Sequence, residues 1–578
     1  MLNSALFAYD PLLEDITADI GGQRISATQN RNAPAVRQIQ KALLLWDPNC
    51  LPLFGADGDY GNETAKAVHR FKVVELGVPE AQVVDDIGPL TVQRLDQIAF
   101  AREQSAAEAV RMAQLDQWLG PVLSGVSSSV SSSDIKIHTS GTEAFLALHA
   151  ALQTCVDDRA IVVISEWDFD PNCPIAPGVT IGSALQAAAG RGTKVRALFN
   201  SFPVIHIPLV GDWRPLPGDN TGAVAFVNGL PNGAAIHDAK VLHHTAASVG
   251  LPIPEVNVQL GVHHMKAWVV WTGERLTAWC GGIDINSNRV GPNALHDVQA
   301  ELNGPAAANV YGILRQRWQD HPTRPSGVDL PALVPSPATG SHRARVITTL
   351  GNPTQFAGLN TAPYSFAPTG SKAIRQLISH LMGQAQNFIY VEDQYFVDES
   401  VGRELATHMS RLKALILLIC DSNSVNGELH QAFARRRAVF AHLAPHAAKV
   451  AVVIRNNRFV HAKTWIFDDT IAVVSSANVN RRGFEHDSEI GVAFGDVRGL
   501  GTARELRERL WALHLGPNAP AIGSDPIAAL PTWQSPPAGA PISKYDPAAG
   551  TDGTPIPVPA NTFLSNDQFW EIVDPRCP

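Results

Sequence analysis

Apolar residues follow two different periods along the chain, and the change of period divides it into regions. From Ala35 to Leu44 they recur every three or four positions, which predicts an amphipathic helix. Between residues 134 and 516, short apolar runs such as AIVVIS (160–165) and ALILLIC (414–420) alternate with helical patterns. Such runs predict buried strands, and their alternation with helices predicts a layered α/β domain.

This α/β pattern passes through the same order of elements twice. A helix, a buried strand, a second helix and a second strand occupy residues 142–199, and a similar order returns over residues 373–454. A repeated order of strands and helices predicts two domains of one kind. We therefore expect an α/β fold made of two homologous α/β sandwich halves, residues 134–330 and 331–516, which face each other across a pseudo-twofold axis.

The remaining regions show other patterns. Residues 34–99 carry three helical patterns, which predict a small three-helix domain ahead of the two halves. Residues 100–133 begin as a polar helix and end in a serine-rich stretch, which predicts a flexible linker. Three regions are predicted to be irregular, namely residues 1–33, a Gly/Pro-rich loop at 201–255 and a Pro-, Ala- and Gly-rich tail at 517–578.

Composition excludes several classes of protein. The 578 residues carry 45 basic and 54 acidic side chains, a net charge of −9, so no nucleic-acid partner is expected. Six scattered cysteines without a C-x-x-C pair predict neither a disulfide framework nor a zinc site. The N-terminus lacks the basic region of a Sec signal, and no apolar run reaches the ~18 residues of a membrane span. We expect a soluble monomer that is cytoplasmic as made.

The clearest chemical pattern lies in VHAKTWIFDDTIAVVSSANVNRRGFEHDSEI (460–490). His461 and Lys463 are two residues apart at the start of a predicted strand, so both side chains point to one face. An imidazole can attack phosphorus, and an ammonium can hold the charge that develops on phosphate oxygens. Ser476 and Asn478, on the next predicted strand, add neutral donors. The spacing predicts a site for a phosphate ester.

A second copy of this pattern lies in GVHHMKAWVVWTGERLTAWCGGID (261–284) and the residues that follow it. The corresponding pairs are His264 with His461, Lys266 with Lys463, Gly282 with Ser476, Asp284 with Asn478, and Asp297 with Glu489. The turn that starts at Trp271 is longer in this copy, which a hairpin tolerates. The chain therefore carries one half-site twice.

Paired H-x-K-x-x-x-x-D patterns resemble those of the phospholipase D superfamily. Asp468 stands five residues after Lys463, in a predicted tight turn, whereas Trp271 stands five residues after Lys266. The segments PYSFAPTGSKAIRQL, FIYVEDQYF, GGIDINSNR and LHDVQAELNGPAAANVYGILRQRW resemble segments of phospholipase D proper. The resemblance covers about residues 134–516 and implies the phospholipase D fold for both halves.

The residues allow a two-step displacement at phosphorus. No metal or other cofactor is expected, because Lys266, Lys463 and Asn478 can stabilise the transition state. The resemblance implies His264 as the nucleophile, which forms a phosphohistidine, and His461 as the general acid and then base. At neutral pH one ring is expected to be neutral and the other protonated.

Other polar residues are expected to support this chemistry. Asp297 and Glu489 are candidates to orient the two rings. Asp284 is expected to bind a lysine or the substrate head group. The remaining candidate site residues are Ser476 and Asp468. His263 is predicted to face away from His264, because neighbouring strand residues point to opposite faces.

DGDYGNETAKAVHRF (57–71) resembles the DGxFGxxTxxAVxxFQ pattern of the small three-helix peptidoglycan-binding domain, over about residues 34–99. The resemblance implies peptidoglycan as a partner. The alternative is a helical bundle kept for assembly or docking. Beside a lipase-like unit, this domain suggests a bacterial enzyme that reaches an envelope by a route independent of a signal peptide.

The leading hypothesis is a phospholipase D that acts on phospholipid at a membrane surface. It would hydrolyse the distal phosphodiester of glycerophospholipids to phosphatidic acid and free head group, with head-group exchange as a second outcome. Three alternatives remain open. They are a superfamily nuclease, a cardiolipin-synthase-like phosphatidyltransferase, and a non-catalytic envelope-binding protein whose first half has decayed at Trp271. The acidic net charge counts against the nuclease, and the lack of predicted membrane helices counts against the phosphatidyltransferase. The two retained His-x-Lys pairs count against the non-catalytic protein.

Overall fold

Two compact units make up the computed structural model, Met1–Ala113 and Gln114–Pro578. The residues that the structure describes are 2–7, 10–202, 205–207, 211–213, 218–241, 243–245, 257–259, 261–333, 340–351, 363–421, 432–456, 458–499, 501–516, 525–545 and 574. The finer domain boundaries stay predictions, and residues 334–339, beside the expected junction of the two halves, lie outside the described residues.

The first unit is a set of helices around a small apolar core. The helices are α1 (Pro11–Thr17), α2 (Pro34–Trp46), α3 (Asn62–Leu76) and α4 (Pro89–Leu119), with 3₁₀ turns at Ile20–Gly22 and Glu80–Gln82. The last three helices lie where helices were predicted, although α4 runs on beyond the boundary of the unit.

The prediction that residues 1–33 are irregular is wrong for α1. The Asp10 carboxylate accepts hydrogen bonds from the backbone N–H groups of Leu12 and Leu13, and Pro11 occupies the first helical position. Leu13 and Ile16 are buried in the core of the unit. A short helix of this kind depends on tertiary packing, which the local sequence pattern does not reveal.

The second unit combines nine helices, among the described residues, with a large sheet. The helices are α5 (Gly141–Gln153), α6 (Ile181–Gly190), α7 (Thr221–Asn228), α8 (Pro305–Gln319), α9 (Ala373–Gln384), α10 (Glu399–His408), α11 (Ala432–Leu443), α12 (Thr502–Leu515) and α13 (Pro526–Gln534), with shorter turns at Ser287–Arg289, Ala444–Lys449 and Arg482–His486. In the described parts of both units, every helix is too short or too polar to cross a bilayer.

The strands of this unit fall into two series of similar order. Those of the first series are β1 (Ser131–His138), β2 (Ile161–Glu166), β3 (Pro174–Ala176), β4 (Val179–Thr180), β5 (Lys194–Asn200), β6 (Ile205–Ile207), β7 (Gly211–Trp213), β8 (Gly233–Asp238), β9 (His243–Thr245), β10 (Asn257–Gln259), β11 (Ala267–Trp271), β12 (Leu276–Gly281) and β13 (Gln299–Asn303). Those of the second are β14 (His342–Leu350), β15 (Ser371–Lys372), β16 (Phe388–Asp393), β17 (Ala414–Ile419), β18 (Val450–Arg455), β19 (Lys463–Phe467), β20 (Ile471–Ser475), β21 (Glu489–Asp496) and β22 (Ile542–Lys544).

One sheet runs through both series. Its strand order is β22-β18-β17-β16-β19-β20-β21-β14-β1-β13-β12-β11-β2-β5-β8, with β15 paired to β14. In each series three parallel strands adjoin three antiparallel strands, and the order of one series is the reverse of the other. The two series meet where residues 131–133 of β1 pair with residues 342–344 of β14. This repeated topology confirms the predicted α/β fold.

The apolar runs of the sequence form the strands at the centre of the sheet. Every residue of β2 and of β17 is buried, as expected for parallel strands that have helices on both faces. One large apolar cluster extends from β11–β13 of the first series to β19–β21 of the second. The polar segments that begin or precede these strands are therefore brought to one region of the unit.

Three regions predicted to be irregular or flexible contain regular structure. The serine-rich linker ends inside β1, where Ser133 is buried. The predicted loop at 201–255 contains α7 and β8, and β8 pairs with β5. In the tail, Trp533 of α13 is buried in the main core, and β22 pairs with β18. Pairing with an existing sheet overrides a weak local pattern. The rest of 201–255 and of 517–578 includes stretches outside the described residues.

The hairpin of β19 and β20 has the tight turn that was predicted at residues 468–470. Asp468 and Asp469 have φ of 51° and 54°, as a type I′ turn requires. The Asp468 carboxylate accepts hydrogen bonds from the backbone N–H groups of three residues that lead into β16. They are Gln386 at 2.6 Å, Asn387 at 2.9 Å and Phe388 at 2.7 Å. Asp468 thus fixes the entry of a central strand.

We expect Asp468→Ala to destabilise the second unit by about 2–4 kcal/mol, because hydrogen bonds to a charged acceptor each contribute about 1.5–3 kcal/mol. Asp468→Asn keeps one acceptor oxygen and tolerates the positive φ, so its loss should be smaller. Urea unfolding followed by tryptophan fluorescence measures both. Equal stability of Asp468→Ala and the wild type would contradict this structural role.

Candidate active site

Both His-x-Lys pairs lie at the junction of the two strand series. His264 and Lys266 immediately precede β11, whereas His461 precedes β19 and Lys463 begins it. Two isolated parallel bridges cross from one series to the other, His263 with Ser488 and His296 with Val460. The backbone N–H of His264 donates to the Ser488 carbonyl at 2.9 Å, and that of His461 donates to the His296 carbonyl at 2.8 Å. These bridges set the pairing of the site residues.

Each histidine ring is held by a carboxylate from the other strand series. His264 Nδ1 lies 2.9 Å from Oε1 and 3.0 Å from Oε2 of Glu489. His461 Nδ1 lies 2.6 Å from Oδ2 of Asp297. The sequence repeat matched Asp297 to Glu489, and the structure exchanges them between the rings. Since Nδ1 is engaged in both rings, Nε2 is the nitrogen that can meet a substrate.

The two lysines are buried beside the histidines. Lys266 Nζ lies 3.2 Å from the carbonyl oxygen of His264 and 3.5 Å from Asp284 Oδ1. Lys463 Nζ donates to the carbonyl oxygen of His461 and to Gln394 Oε1, the latter at 3.1 Å. Asp393 is the cross-strand neighbour of Lys463. Two ammonium groups held this way can face a phosphate between the rings.

Both imidazoles have a pKa below the ordinary value. Burial lowers the pKa of His264 and of His461, and the charges of Lys266 and Lys463 lower both further. Burial also raises the pKa of Glu489, with the charge of Asp487 acting in the same direction. The expectation of one protonated ring therefore does not describe the free site, because burial and two lysines disfavour an imidazolium. A bound phosphodiester anion would offset the lysine charges and favour protonation of one ring.

Ser476 and Gly282 occupy matching places beside the two carboxylates. Ser476 Oγ donates to Glu489 Oε2 at 2.5 Å and accepts from the backbone N–H of Ile490 at 3.0 Å. Ser476 was expected to be a neutral donor for a phosphate ester, whereas here its hydroxyl donates to Glu489. A side chain at Gly282 would collide with Oδ1 of Asp297, so the absence of a side chain lets that carboxylate approach.

Asn478 and Asp284, which match in sequence, have different surroundings. Asn478 is 5% exposed, and its Oδ1 has no hydrogen-bond partner within the described ranges. Asp284 accepts a hydrogen bond from Arg289 Nη2 at 2.7 Å and lies near Lys266. The first series thus places an ion pair where the second places a neutral amide.

Arg289 is a site residue that sequence reasoning missed. It is 4% exposed, and its Nη2 lies 3.5 Å from His461 Nδ1 as well as 2.7 Å from Asp284. Its Nε lies 3.9 Å from Asp297 Oδ2. Its place in GGIDINSNR, five residues after Asp284, could have identified Arg289 as a site residue. The comparison of the two copies did not identify it, because the second copy has no arginine five residues after Asn478.

Asp468 and Trp271 stand at the far ends of β19 and β11 from the histidines. Lys463 begins the five-residue strand β19 and Asp468 follows its last residue, which puts the two roughly 16 Å apart at ~3.3 Å per residue. The Asp468 carboxylate accepts hydrogen bonds from the backbone of residues 386–388, so the expectation that Asp468 belongs to the site is replaced by a structural role. Trp271 pairs with Leu276 at the corresponding end. Loss of the motif Asp there leaves the His264 half-site complete.

An aromatic side chain borders the ring of His264. Trp167, the residue after β2, is partly exposed and meets His264 edge-on, with ring centroids 5.4 Å apart. Phe202 packs against the indole of Trp167 with centroids 4.7 Å apart. On the other side, Phe459 lies near His461 at 6.3 Å. Aromatic side chains thus lie beside both histidine rings.

Residues 378–512 match the family described as "Cardiolipin synthase, PLD-like domain". The segment contains His461, Lys463, Asn478 and Glu489 in the arrangement given above.

Residues 378–512 are thus similar to a phospholipase D-like domain.

One curated relative points to the same superfamily. Phospholipase D1 of Schizosaccharomyces pombe is 24% identical over 301 residues, covering 38% of this chain and 21% of the yeast protein. The chain thus spans about a fifth of the length of that relative. Both findings indicate similarity to the phospholipase D superfamily.

Two solved structures resemble the chain at 13% identity. Phosphatidylserine synthase of Haemophilus influenzae Rd KW20 aligns with a TM-score of 0.46 over 70% of this chain and 90% of its own. Polyphosphate kinase of Porphyromonas gingivalis aligns with a TM-score of 0.36 over 66% and 50%.

Any activity of this site is expected to be confined to a window of pH. Burial raises the pKa of Asp297 to about 6, against the charges of Lys463 and Arg289. Burial lowers the pKa of Lys463 to about 8, and Lys266 acts in the same direction. Below about pH 6 Asp297 gains a proton and ceases to accept from His461, and above about pH 8 Lys463 loses its charge. We expect kcat/KM to fall on both sides.

Initial rates between pH 4.5 and 10 test this window. Lys463→Arg keeps a positive charge at high pH and should move the alkaline limb upward, whatever its effect on the maximum. An alkaline limb that stays near pH 8 in Lys463→Arg would assign that limb to another group.

Proposed function

We propose that the protein is a phospholipase D that cleaves the distal phosphodiester of glycerophospholipids. The observation that carries the proposal is the pair of imidazoles, each held at Nδ1 by a carboxylate from the other strand series, with two buried lysines beside them. This arrangement supplies two Nε2 atoms and two fixed positive charges to one phosphate group.

The proposed reaction proceeds in two displacements. His264 Nε2 forms a bond to phosphorus, and the bond from phosphorus to the head-group oxygen breaks as His461 gives that oxygen a proton. His461 then takes a proton from water, whose oxygen attacks phosphorus and releases His264. Phosphatidic acid and the free head group result. An alcohol in place of water gives head-group exchange.

Each of the other site residues has a part in this scheme. Lys266, Lys463 and Asn478 stabilise the charge on the phosphate oxygens. The Asp284 carboxylate neutralises the positive charge of Arg289, which lies beside His461. The acidic net charge of −9 favours a lipid over a nucleic acid as the substrate. Trp167, which borders His264 and is packed against Phe202, favours the same choice because its indole offers apolar contact to a lipid.

The test is incubation with vesicles of mixed phospholipids in EDTA, with and without ethanol, followed by lipid mass spectrometry. We expect phosphatidic acid without ethanol and phosphatidylethanol with it. Protein carrying both Lys266→Met and Lys463→Met is the inactive control. Cardiolipin formed from phosphatidylglycerol, with no phosphatidic acid, would identify a phosphatidyltransferase instead. Cleavage of DNA but not of lipid would identify a nuclease.

We propose further that residues 34–99 bring the enzyme to peptidoglycan in a bacterial envelope. Leu53 and Phe54 are 78% and 69% exposed, and the Glu63 carboxylate accepts hydrogen bonds from both of their backbone N–H groups. The loop is thus fixed with two apolar side chains facing water, a common feature of binding surfaces.

We expect Leu53→Ser with Phe54→Ser to reduce cosedimentation of the full chain with purified peptidoglycan by about tenfold, as for a loss of about 1.4 kcal/mol. Leu90→Ser is the matched control, because Leu90 is 69% exposed at the start of α4. Failure of the wild type to sediment would remove peptidoglycan as a partner without affecting the proposed lipid chemistry.

A further inference from the structure

Beneath the His461 half-site lies a second buried polar cluster that the proposed reaction does not use. His296, Glu392 and His514 are fully buried. Glu392 Oε2 accepts from His296 Nε2 at 2.6 Å, and Oε1 accepts from His514 Nε2 at 3.0 Å. The hydroxyl of Tyr390 also donates to Oε1, at 2.6 Å. One carboxylate thus receives three hydrogen bonds, and we call this group the Glu392 cluster.

The Glu392 cluster is connected to the catalytic groups through the backbone. His296 immediately precedes Asp297, and its carbonyl accepts the N–H of His461 at 2.8 Å. The N–H of His296 donates to the Phe459 carbonyl at 2.9 Å. The side chain of His296 is therefore fixed at the point where the backbone places Asp297 against His461.

Two histidines and a carboxylate could instead be the ligands of a metal ion. Two ligands on one zinc ion at ~2.0 Å in a tetrahedral site lie about 3.3 Å apart, whereas His296 Nε2 and Glu392 Oε2 are 2.6 Å apart. The His514 Nδ1 atom lies 3.0 Å from the Arg455 Nη1 donor, so Nε2 of that ring carries the proton. A protonated nitrogen donates a hydrogen bond and does not bind a metal. The geometry is that of a hydrogen-bond network.

The His264 half-site is supported differently. Ser488 immediately precedes Glu489, as His296 precedes Asp297, and Ser488 Oγ accepts from Arg317 Nη1 at 2.8 Å. Arg317 is paired with Asp238 on the same strand series. The residue before each ring-holding carboxylate is therefore anchored, Ser488 by an arginine and His296 by Glu392.

We propose that His296, Glu392 and His514 are positioning residues that hold Asp297 against His461 and so govern its proton transfers. This inference rests on the proposed function. In the first displacement the proton on His461 Nε2 moves to the head-group oxygen while the bond from that oxygen to phosphorus breaks. A displaced Asp297 no longer orients the ring, so the transfer slows while attack by His264 on phosphorus is unaffected.

Leaving-group dependence separates this role from general damage. Choline must be protonated as it leaves, whereas p-nitrophenolate leaves without a proton. We expect His514→Leu to lower turnover of phosphatidylcholine about 10–100-fold. The burst of p-nitrophenolate from phosphatidyl-p-nitrophenol should change less than about threefold, since it does not need the general acid. His514→Gln retains an N–H donor for Glu392 and should restore most phosphatidylcholine turnover.

Two further variants keep the test decisive. Tyr390→Phe removes one donor to Glu392 with little change of volume, and it replaces His514→Leu in the test if that variant does not fold. It should also lower turnover of phosphatidylcholine more than the burst of p-nitrophenolate, but to a smaller degree. Ser488→Ala removes the hydrogen bond from Arg317 that anchors the other half-site. It should lower the turnover of both substrates by the same factor. Circular dichroism verifies folding of each variant.

Specific outcomes overturn the inference. Equal losses on both substrates in His514→Leu, or no loss on either, would show that the cluster has no part in proton transfer. One equivalent of zinc retained by the dialysed wild type and lost in His514→Leu would make the cluster a metal site. A wild type that releases neither choline nor p-nitrophenolate would refute the proposed function itself, and this inference with it.

Discussion

We expect His264→Ala to lower the rate of phosphodiester cleavage by on the order of 10⁴-fold or more, because it removes the atom that bonds to phosphorus. His461→Ala should cost about 10²–10⁴-fold with an alcohol leaving group, the usual contribution of a general acid. The two losses should differ in kind. With phosphatidyl-p-nitrophenol, His461→Ala should still form the phosphohistidine and then fail to hydrolyse it.

A label on phosphorus makes this difference measurable. His461→Ala incubated with ³²P-labelled phosphatidyl-p-nitrophenol should retain label that is stable to base and labile to acid, as a phosphoramidate is. Adding His264→Ala to this variant should abolish the label. His149→Ala is the control, since the His149 ring shares an exposed hydrogen bond with Gln153 on the same helix, α5. Label in the protein that lacks His264 would show that the nucleophile is another residue.

The second large effect concerns the carboxylates. We expect Glu489→Gln and Asp297→Asn each to cost about 10²–10⁴-fold, because an amide in this place favours the wrong tautomer of the ring. The crossed contacts predict which histidine each one affects. Asp297→Asn should resemble His461→Ala and accumulate the phosphohistidine, although Asp297 lies only 33 residues after His264 in the sequence.

Double-mutant cycles test the crossing directly. Asp297→Asn combined with His461→Ala should be no slower than His461→Ala alone, because the carboxylate acts only through that ring. Glu489→Gln combined with His461→Ala should be slower than either single variant. The opposite pattern would mean that each carboxylate serves the ring of its own sequence copy.

The features that the sequence predicted well are those set by local spacing. Apolar runs identified β2 and β17, since strands covered on both faces need continuous apolar residues. The pattern around His461 and Lys463 predicted the start of a strand, and Lys463 begins β19 with His461 two residues before it. Asp468 and Asp469 marked the turn, because few other residues accept a positive φ.

The features that it missed depend on contacts between distant segments. The exchange of Asp297 and Glu489 follows from bridges between the two strand series, and no spacing within either copy encodes them. Ser476 and Asp468 both match the motif, but neither has the expected contacts. Ser476 donates to Glu489, and Asp468 accepts from the backbone at the start of β16. Arg289 is identified as a site residue only by the distances of its guanidinium to Asp284 and His461.

The crossed carboxylates also set when the protein can become active during its own synthesis. Glu489 follows His264 by 225 residues, so a ribosome adding about 5–20 residues per second needs roughly 10–45 s to make the partner of that ring. Until then the nascent first half has an imidazole without its carboxylate and an Asp297 without its histidine. The proposed phospholipase D activity should therefore be absent from the nascent chain until Glu489 has been made.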